Sequence, residues 1–146
     1  MITKVLIIGR AGRLRDGLGT VLRTFPGVAD VLAVDSIDSA LERLALEYPS
    51  VVIVDGDDRL ENDCLLLGQM LSTHTEPRYI AITNTLRHRA TAQKAGVDAV
   101  LLRGFSTTTL YNTFVSLGII PDSGYIGIPS ALNQPQTTTG PILQRI

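Results

Sequence analysis

Aromatic residues are scarce in this chain: 5 % of 146 residues, with no tryptophan. The core it builds is therefore aliphatic, drawn from the Val, Ile, Leu and Ala that dominate a hydrophobic fraction of 45 %. Cysteine is nearly absent. The single Cys64 excludes an internal disulfide, reads as a small core residue on a helix, and makes a reducing cytoplasm the expected compartment. The two histidines, His74 and His88, have no partner at metal-ligand spacing, which leaves both as expected surface residues. Charge of one sign is lacking too. Thirteen basic against fourteen acidic residues give a net charge of −1, so no bulk field draws the chain to nucleic acid or anionic lipid. No apolar run approaches the roughly 20 residues of a membrane span. The opening MITKVLII has one lysine and a short apolar stretch, and reads as a first strand rather than a signal peptide.

What is present is an alternation. Val5–Ile8 is a continuous apolar run, as expected of a strand buried on both faces. Leu14, Leu18, Val21, Leu22 and Phe25 then recur at helical spacing until Pro26-Gly27 stops them. Val31–Val34 is a second strand. Ser36 or Asp38 caps a helix with an apolar face of Ala40, Leu41, Leu44 and Ala45. Val51–Val54 is the third strand and runs into Asp55, followed by an acidic turn with Asp57, Asp58, Glu61 and Asp63. A helix around Cys64–Leu71, a strand Tyr79–Ile82 and a polar helix Leu86–Ala95 closed by Gly96 come next. Val100–Leu102 is the fifth strand, and Ser106 caps a last helix reaching about Leu117. Five β-α units in succession imply parallel strands with helices on both faces. One domain over 1–118 is expected. Residues 119–146 hold four of the seven prolines and no periodicity, and read as a linker or extended arm. Within that arm Tyr125, Ile126, Ile128, Leu132, Ile142 and Leu143 are available to dock on the domain or on a partner chain. No helix-turn-helix pattern follows the domain, so direct nucleic-acid binding by this segment is not expected. The sequence leaves open whether the chain stands alone or is cut from a longer protein.

In open parallel sheets function sits at the carboxyl ends of the strands, here Gly9-Arg10, Asp35, Asp55, Thr83 and Arg103. The stretch VLIIGRAGRLRDGLG (5–19), with Asp35 ending the second strand, has the outline of a dinucleotide site. Its glycines fail the pattern: a G-x-G-x-x-G run from Gly9 needs glycine at 11 and 14, where Ala11 and Leu14 stand. Gly9 and Gly12 suffice as a tight turn. A cluster of Arg10, Arg13 and Arg15 at a helix start leaves a small nucleotide- or anion-binding domain as one alternative.

Four stretches in register, PSVVIVD (49–55), DSIDSAL (35–41), IAIT (80–83) and AGVDAVLLRG (95–104), resemble the receiver domain of two-component response regulators over about residues 3–118. The resemblance implies a flavodoxin-like, doubly wound, three-layer α/β/α fold with five parallel strands in the order 2-1-3-4-5. It implies a regulatory rather than enzymatic role, in signal transduction through protein–protein contact. It also implies which residues matter. Asp55 matches the phosphoacceptor aspartate. Thr83 matches the hydroxyl that contacts the phosphoryl group, and Arg103 takes the place of its lysine. The acidic pair that holds Mg²⁺ in the family is here Gly9 and Arg10. A carboxylate attacking a phosphoryl donor brings negative charges together, and a divalent cation and a lysine offset that repulsion. Gly9 has no ligand to give and Arg10 repels a metal. No metal and no other cofactor is therefore expected, unless Asp57 or Asp58 rescues a Mg²⁺ site. The expectation is an atypical receiver in which Arg10 reaches the Asp55 carboxylate and occupies the place of the metal, while Arg103 is read as an ion-pair partner of Asp55 or Asp57. A working phosphoacceptor at Asp55 is the alternative. The resemblance further places a protein partner or a homodimer contact on the face running from the fourth to the fifth helix, and gives no reason to expect a membrane role.

Overall fold

A computed structural model describes residues 3–56 and 64–122. In chain order the elements are β1 (Thr3–Ile8), α1 (Arg13–Leu22), β2 (Val28–Val34), α2 (Ile37–Glu47), β3 (Val51–Asp55), α3 (Cys64–Thr73), β4 (Arg78–Thr83), α4 (Leu86–Ala95), β5 (Ala99–Leu102) and α5 (Thr107–Ser116). All strand pairs are parallel, and the sheet order is β2-β1-β3-β4-β5. The expected doubly wound α/β/α architecture is what forms. Asp57 and Asp58, the Cys64 side chain, and the part of the arm from residue 123 onward lie outside the described residues.

The layers follow from strand alternation, which sends successive side chains to opposite faces. Val5, Ile7, Val51, Ile53, Ile80, Ile82 and Leu101 pack with Leu18, Leu22 and Phe25 of the α1 region and with Leu110, Tyr111 and Phe114 of α5. Leu6, Ile8, Val52, Val54, Ala81 and Val100 pack on the other side with α2, α3 and α4 through Ala40, Leu44, Leu67, Met70 and Ala92. The few aromatics are concentrated in the first layer. The Phe25 ring meets Tyr111 and Phe114 edge-on, each at 5.5 Å between centroids.

Local chemistry sets the helix ends. Ser36 rather than Asp38 caps α2, accepting from the Ser39 N–H at 3.1 Å. Thr85 and Ser106 cap α4 and α5 in the same way, at 3.1 Å each. Gly96 closes α4 with φ 97°, a left-handed turn that glycine adopts without steric penalty. Four strands begin earlier than their apolar runs suggest, β4 among them at Arg78. β2 is an edge strand, and pairing with β1 extends it back through the exposed Asp30 and Ala29 to the half-buried Val28, a stretch with no continuous apolar run. β1 starts at the buried Thr3 and β5 at Ala99.

Candidate pocket at the carboxyl edge of the sheet

Asp55 is the last residue of β3 and Thr83 the last of β4, while Arg103 follows β5 directly. In the sheet register Asp55 lies beside Ile82, and Thr83 lies beside Leu102. Two backbone bonds hold the emerging loops onto β4: Gly56 N–H donates to the Ile82 carbonyl and Arg103 N–H to the Thr83 carbonyl, both at 2.7 Å. Asp55 continues the alternation of Ile53, and Arg103 that of Leu101, so both belong on the α1/α5 side of the sheet. They are two strands apart, about 10 Å between strand axes. The long arginine stem spans that gap. Arg103 Nη2 donates to Asp55 Oδ1 at 2.6 Å, with side chains 33 % and 17 % exposed. A charge-assisted bond this short and this sheltered orients the carboxylate.

Gly9 shapes the other wall. Its N–H donates to the Val34 carbonyl, which continues the β1–β2 ladder by one residue. A Cβ placed on Gly9 would stand 2.9 Å from Asp55 Cβ and 3.5 Å from Asp55 Oδ2. Side-chain space at position 9 is thus already filled by the aspartate. Arg10 is exposed and forms no ion pair among the described residues. The expected Arg10–Asp55 pair therefore does not form; Arg103 holds the carboxylate instead. Arg10 follows a residue whose side-chain direction is toward Asp55, so alternation turns Arg10 away. The Thr83 side chain is fully buried and its hydroxyl has no hydrogen-bond partner, so it contributes no bond to the Asp55–Arg103 pair.

The described residues do not fit Mg²⁺. That ion takes a near-octahedral set of oxygens, commonly with one or two carboxylates. Gly9 supplies no oxygen from a side chain, Arg10 is cationic, and Asp55 Oδ1 already accepts from a guanidinium. Among the described residues no three His, Cys, Asp or Glu side chains converge on one point.

The basic loop ahead of α1 does not converge on an anion either. Arg15, in the first turn of α1, donates through Nη1 to Asp35 Oδ1 at 2.8 Å and to the Gly9 carbonyl at 3.1 Å, tying the helix start to the end of β2. Asp35, the acid that a ribose would need, is committed to that pair. Arg13 instead sits at the mouth of a groove between α1 and α5. The composition of the loop suggested neither outcome. The clue was position, since β1 and β2 are neighbours and residues at their carboxyl ends meet. On α4, His88 is buried rather than at the surface, with Nδ1 3.4 Å from Asn84 Oδ1, because the helix turns it toward the sheet. His74 is half-buried, and its carbonyl accepts a bond from the Tyr79 hydroxyl at 2.6 Å. No helix among the described residues is long and apolar enough to cross a membrane.

Comparison with solved structures places this geometry on a known fold. The RcsB response regulator of Salmonella typhimurium superposes with a TM-score of 0.70 at 15 % identity, over 81 % of this chain and 59 % of that one. The signal receiver domain of a DNA-binding response regulator from Colwellia psychrerythraea 34H gives 0.66 at 20 % identity, covering 81 % and 99 %. A CheY-like receiver domain protein from Methanospirillum hungatei JF-1 gives 0.65 at 18 %, covering 80 % and 94 %. At these identities the likeness is one of fold: the chain folds as response-regulator receiver domains do. It spans 59 % of the RcsB chain and nearly all of the isolated Colwellia domain. No protein-family model matches the chain, and no curated protein does.

Proposed function

We propose that this chain is an atypical receiver module, regulatory rather than enzymatic. It acts in signal transduction by contact with another protein and does not run Mg²⁺-dependent phosphorylation of its aspartate. One observation carries the reading: Arg103 is bonded to Asp55 at 2.6 Å while Gly9, at the position of a metal-holding acid, has its side-chain space filled by Asp55 itself. The guanidinium supplies positive charge where the reaction needs it, but it also occupies the nucleophile. An attacking carboxylate oxygen must be free and aligned in line with the leaving group. Without the two carboxylates after β1, no divalent ion is positioned to relieve the charge on the incoming phosphoryl group. The pair fixes the pocket in one arrangement, and the output surface with it. We place that surface on the α4 to α5 face, where Leu86 is 72 % exposed on a helix that also carries Arg87 and Lys94. The working unit is the domain of residues 1–118 together with Ile119 and Ile120, which pack into its core, and the compartment is the cytoplasm.

The test uses the full chain incubated with acetyl phosphate and Mg²⁺ and weighed intact. The expected result is no gain of a phosphoryl group, and no Mg²⁺-dependent spectral change with beryllofluoride. Stoichiometric modification that disappears in Asp55→Asn establishes the alternative, a working phosphoacceptor at Asp55.

A further inference from the structure

A groove of about 250 Å³ runs between α1 and α5, on the face of the sheet away from α2, α3 and α4. Leu14, Gly17 and Val21 form one wall, and Gly104, Phe105 and Leu110 the other. Leu14, Val21 and Phe105 are only half-buried, so apolar surface is left facing outward along the whole groove. Gly17 is the unexpected residue. Glycine inside a helix is destabilising relative to alanine. A Cβ at Gly17 would meet nothing within 4 Å, so packing among the described residues does not call for glycine there. A bare backbone on the floor of an apolar groove is useful if something lies across it.

The chain itself supplies a candidate of the right length. Both helices start at the carboxyl edge of the sheet and run to the opposite edge. After α5 the chain turns at Gly118 (φ 74°) and buries Ile119 and Ile120 at that opposite edge. There Thr3 Oγ1 donates to the Ile119 carbonyl at 3.4 Å, and Ile120 stands beside Gly27. The described chain ends at Asp122, two residues beyond Ile120, which lies beside Gly27 just past the end of α1. A helix of ten residues is about 15 Å long, which an extended chain covers in about five residues. The segment that starts there reads Ser-Gly-Tyr-Ile-Gly-Ile, residues 123–128, and its apolar side chains are Tyr125, Ile126 and Ile128. In extended form Ile126 and Ile128 share one face.

The geometry points to residues 123–128 as the occupant of the α1–α5 groove, with Ile126 and Ile128 against Leu14, Val21 and Phe105 and the backbone passing over Gly17. A tethered segment is present at an effective concentration on the order of millimolar, which favours it over a second copy of the chain at ordinary protein concentrations. The inference is independent of the chemistry at Asp55.

The chain contains no tryptophan, so Tyr125→Trp in the full chain reports on this segment alone. The expected result is blue-shifted emission, with acrylamide quenching several-fold weaker than in urea, at every protein concentration and with a monomeric hydrodynamic size. Adding Gly17→Glu or, separately, Gly17→Lys is expected to return the emission to that of solvent-exposed tryptophan while the far-ultraviolet circular dichroism stays unchanged. Solvent-like emission before either substitution overturns the inference. A blue shift that appears only as dimers form assigns the groove to a second copy and overturns it too. So does a blue shift that survives both Gly17 substitutions.

Discussion

Gly9 controls what Asp55 can do. Glycine at an ordinary backbone conformation is usually improved by alanine, which narrows the unfolded ensemble. Here the added methyl would stand 2.9 Å from Asp55 Cβ, with β3 fixed behind it by pairing on both sides. Gly9→Ala is therefore expected to destabilise the fold by about 1–3 kcal/mol, the range for overpacking a filled site, as read by urea denaturation. The same geometry means that Gly9→Asp does not simply rebuild an acidic pocket, because the new carboxylate arrives where the aspartate already is. Asp55 and Thr83 were visible in the sequence as strand-end residues, and the identity of the cation was not. Arg10 and Arg103 both lie at carboxyl ends of strands. The choice between them depends on which side of the sheet each side chain leaves from, a matter of register rather than of residue type.

At the scale of elements, the short helices depend on their ends. α5 has ten residues, too few to be stable alone in water. It is held by Leu110, Tyr111 and Phe114 in the core and by the Ser106 hydroxyl accepting the Thr109 N–H. Ser106→Ala is expected to cost about 1 kcal/mol, with a matching loss of hydrogen-exchange protection confined to the first turn of α5. The cap, the Gly96 stop of α4 and the five strands were legible in the sequence because each rests on local chemistry or on a continuous apolar run. The early start of β2 was not. An edge strand needs backbone partners and only one covered face, so Ala29 and Asp30 can belong to it without an apolar signal. The burial of His88 was likewise hidden, since α4 is polar almost all round and its inward face is narrow.

For the molecule as a whole, the amino edge of the sheet is fastened by Tyr79. Its hydroxyl donates to the His74 carbonyl just beyond α3, while its backbone N–H donates to Asp98 Oδ2 at 2.7 Å just before β5. Burial, with the Asp98 carboxylate adding to it, pushes the phenol from 10.0 up to about 12. The folded state therefore holds the phenol proton more tightly than the unfolded chain does. The stability this contributes is complete below pH 10 and is lost as pH rises through about 12. Urea midpoints measured across that window are expected to fall steeply in the natural chain and less so in Tyr79→Phe. Overall topology was legible because all five strands are parallel and their apolar runs alternate with helical periods. The groove between α1 and α5 was not, since it depends on how far apart two helices sit once the sheet has twisted beneath them.

An aspartyl phosphate expires by hydrolysis, so a receiver that carries one keeps time. An arginine clasped to Asp55 does not expire: no covalent bond has to be made or broken to maintain it. Under the proposed function such a module would have no timer of its own, and the duration of its message would be set by how many copies are made and how soon they are degraded.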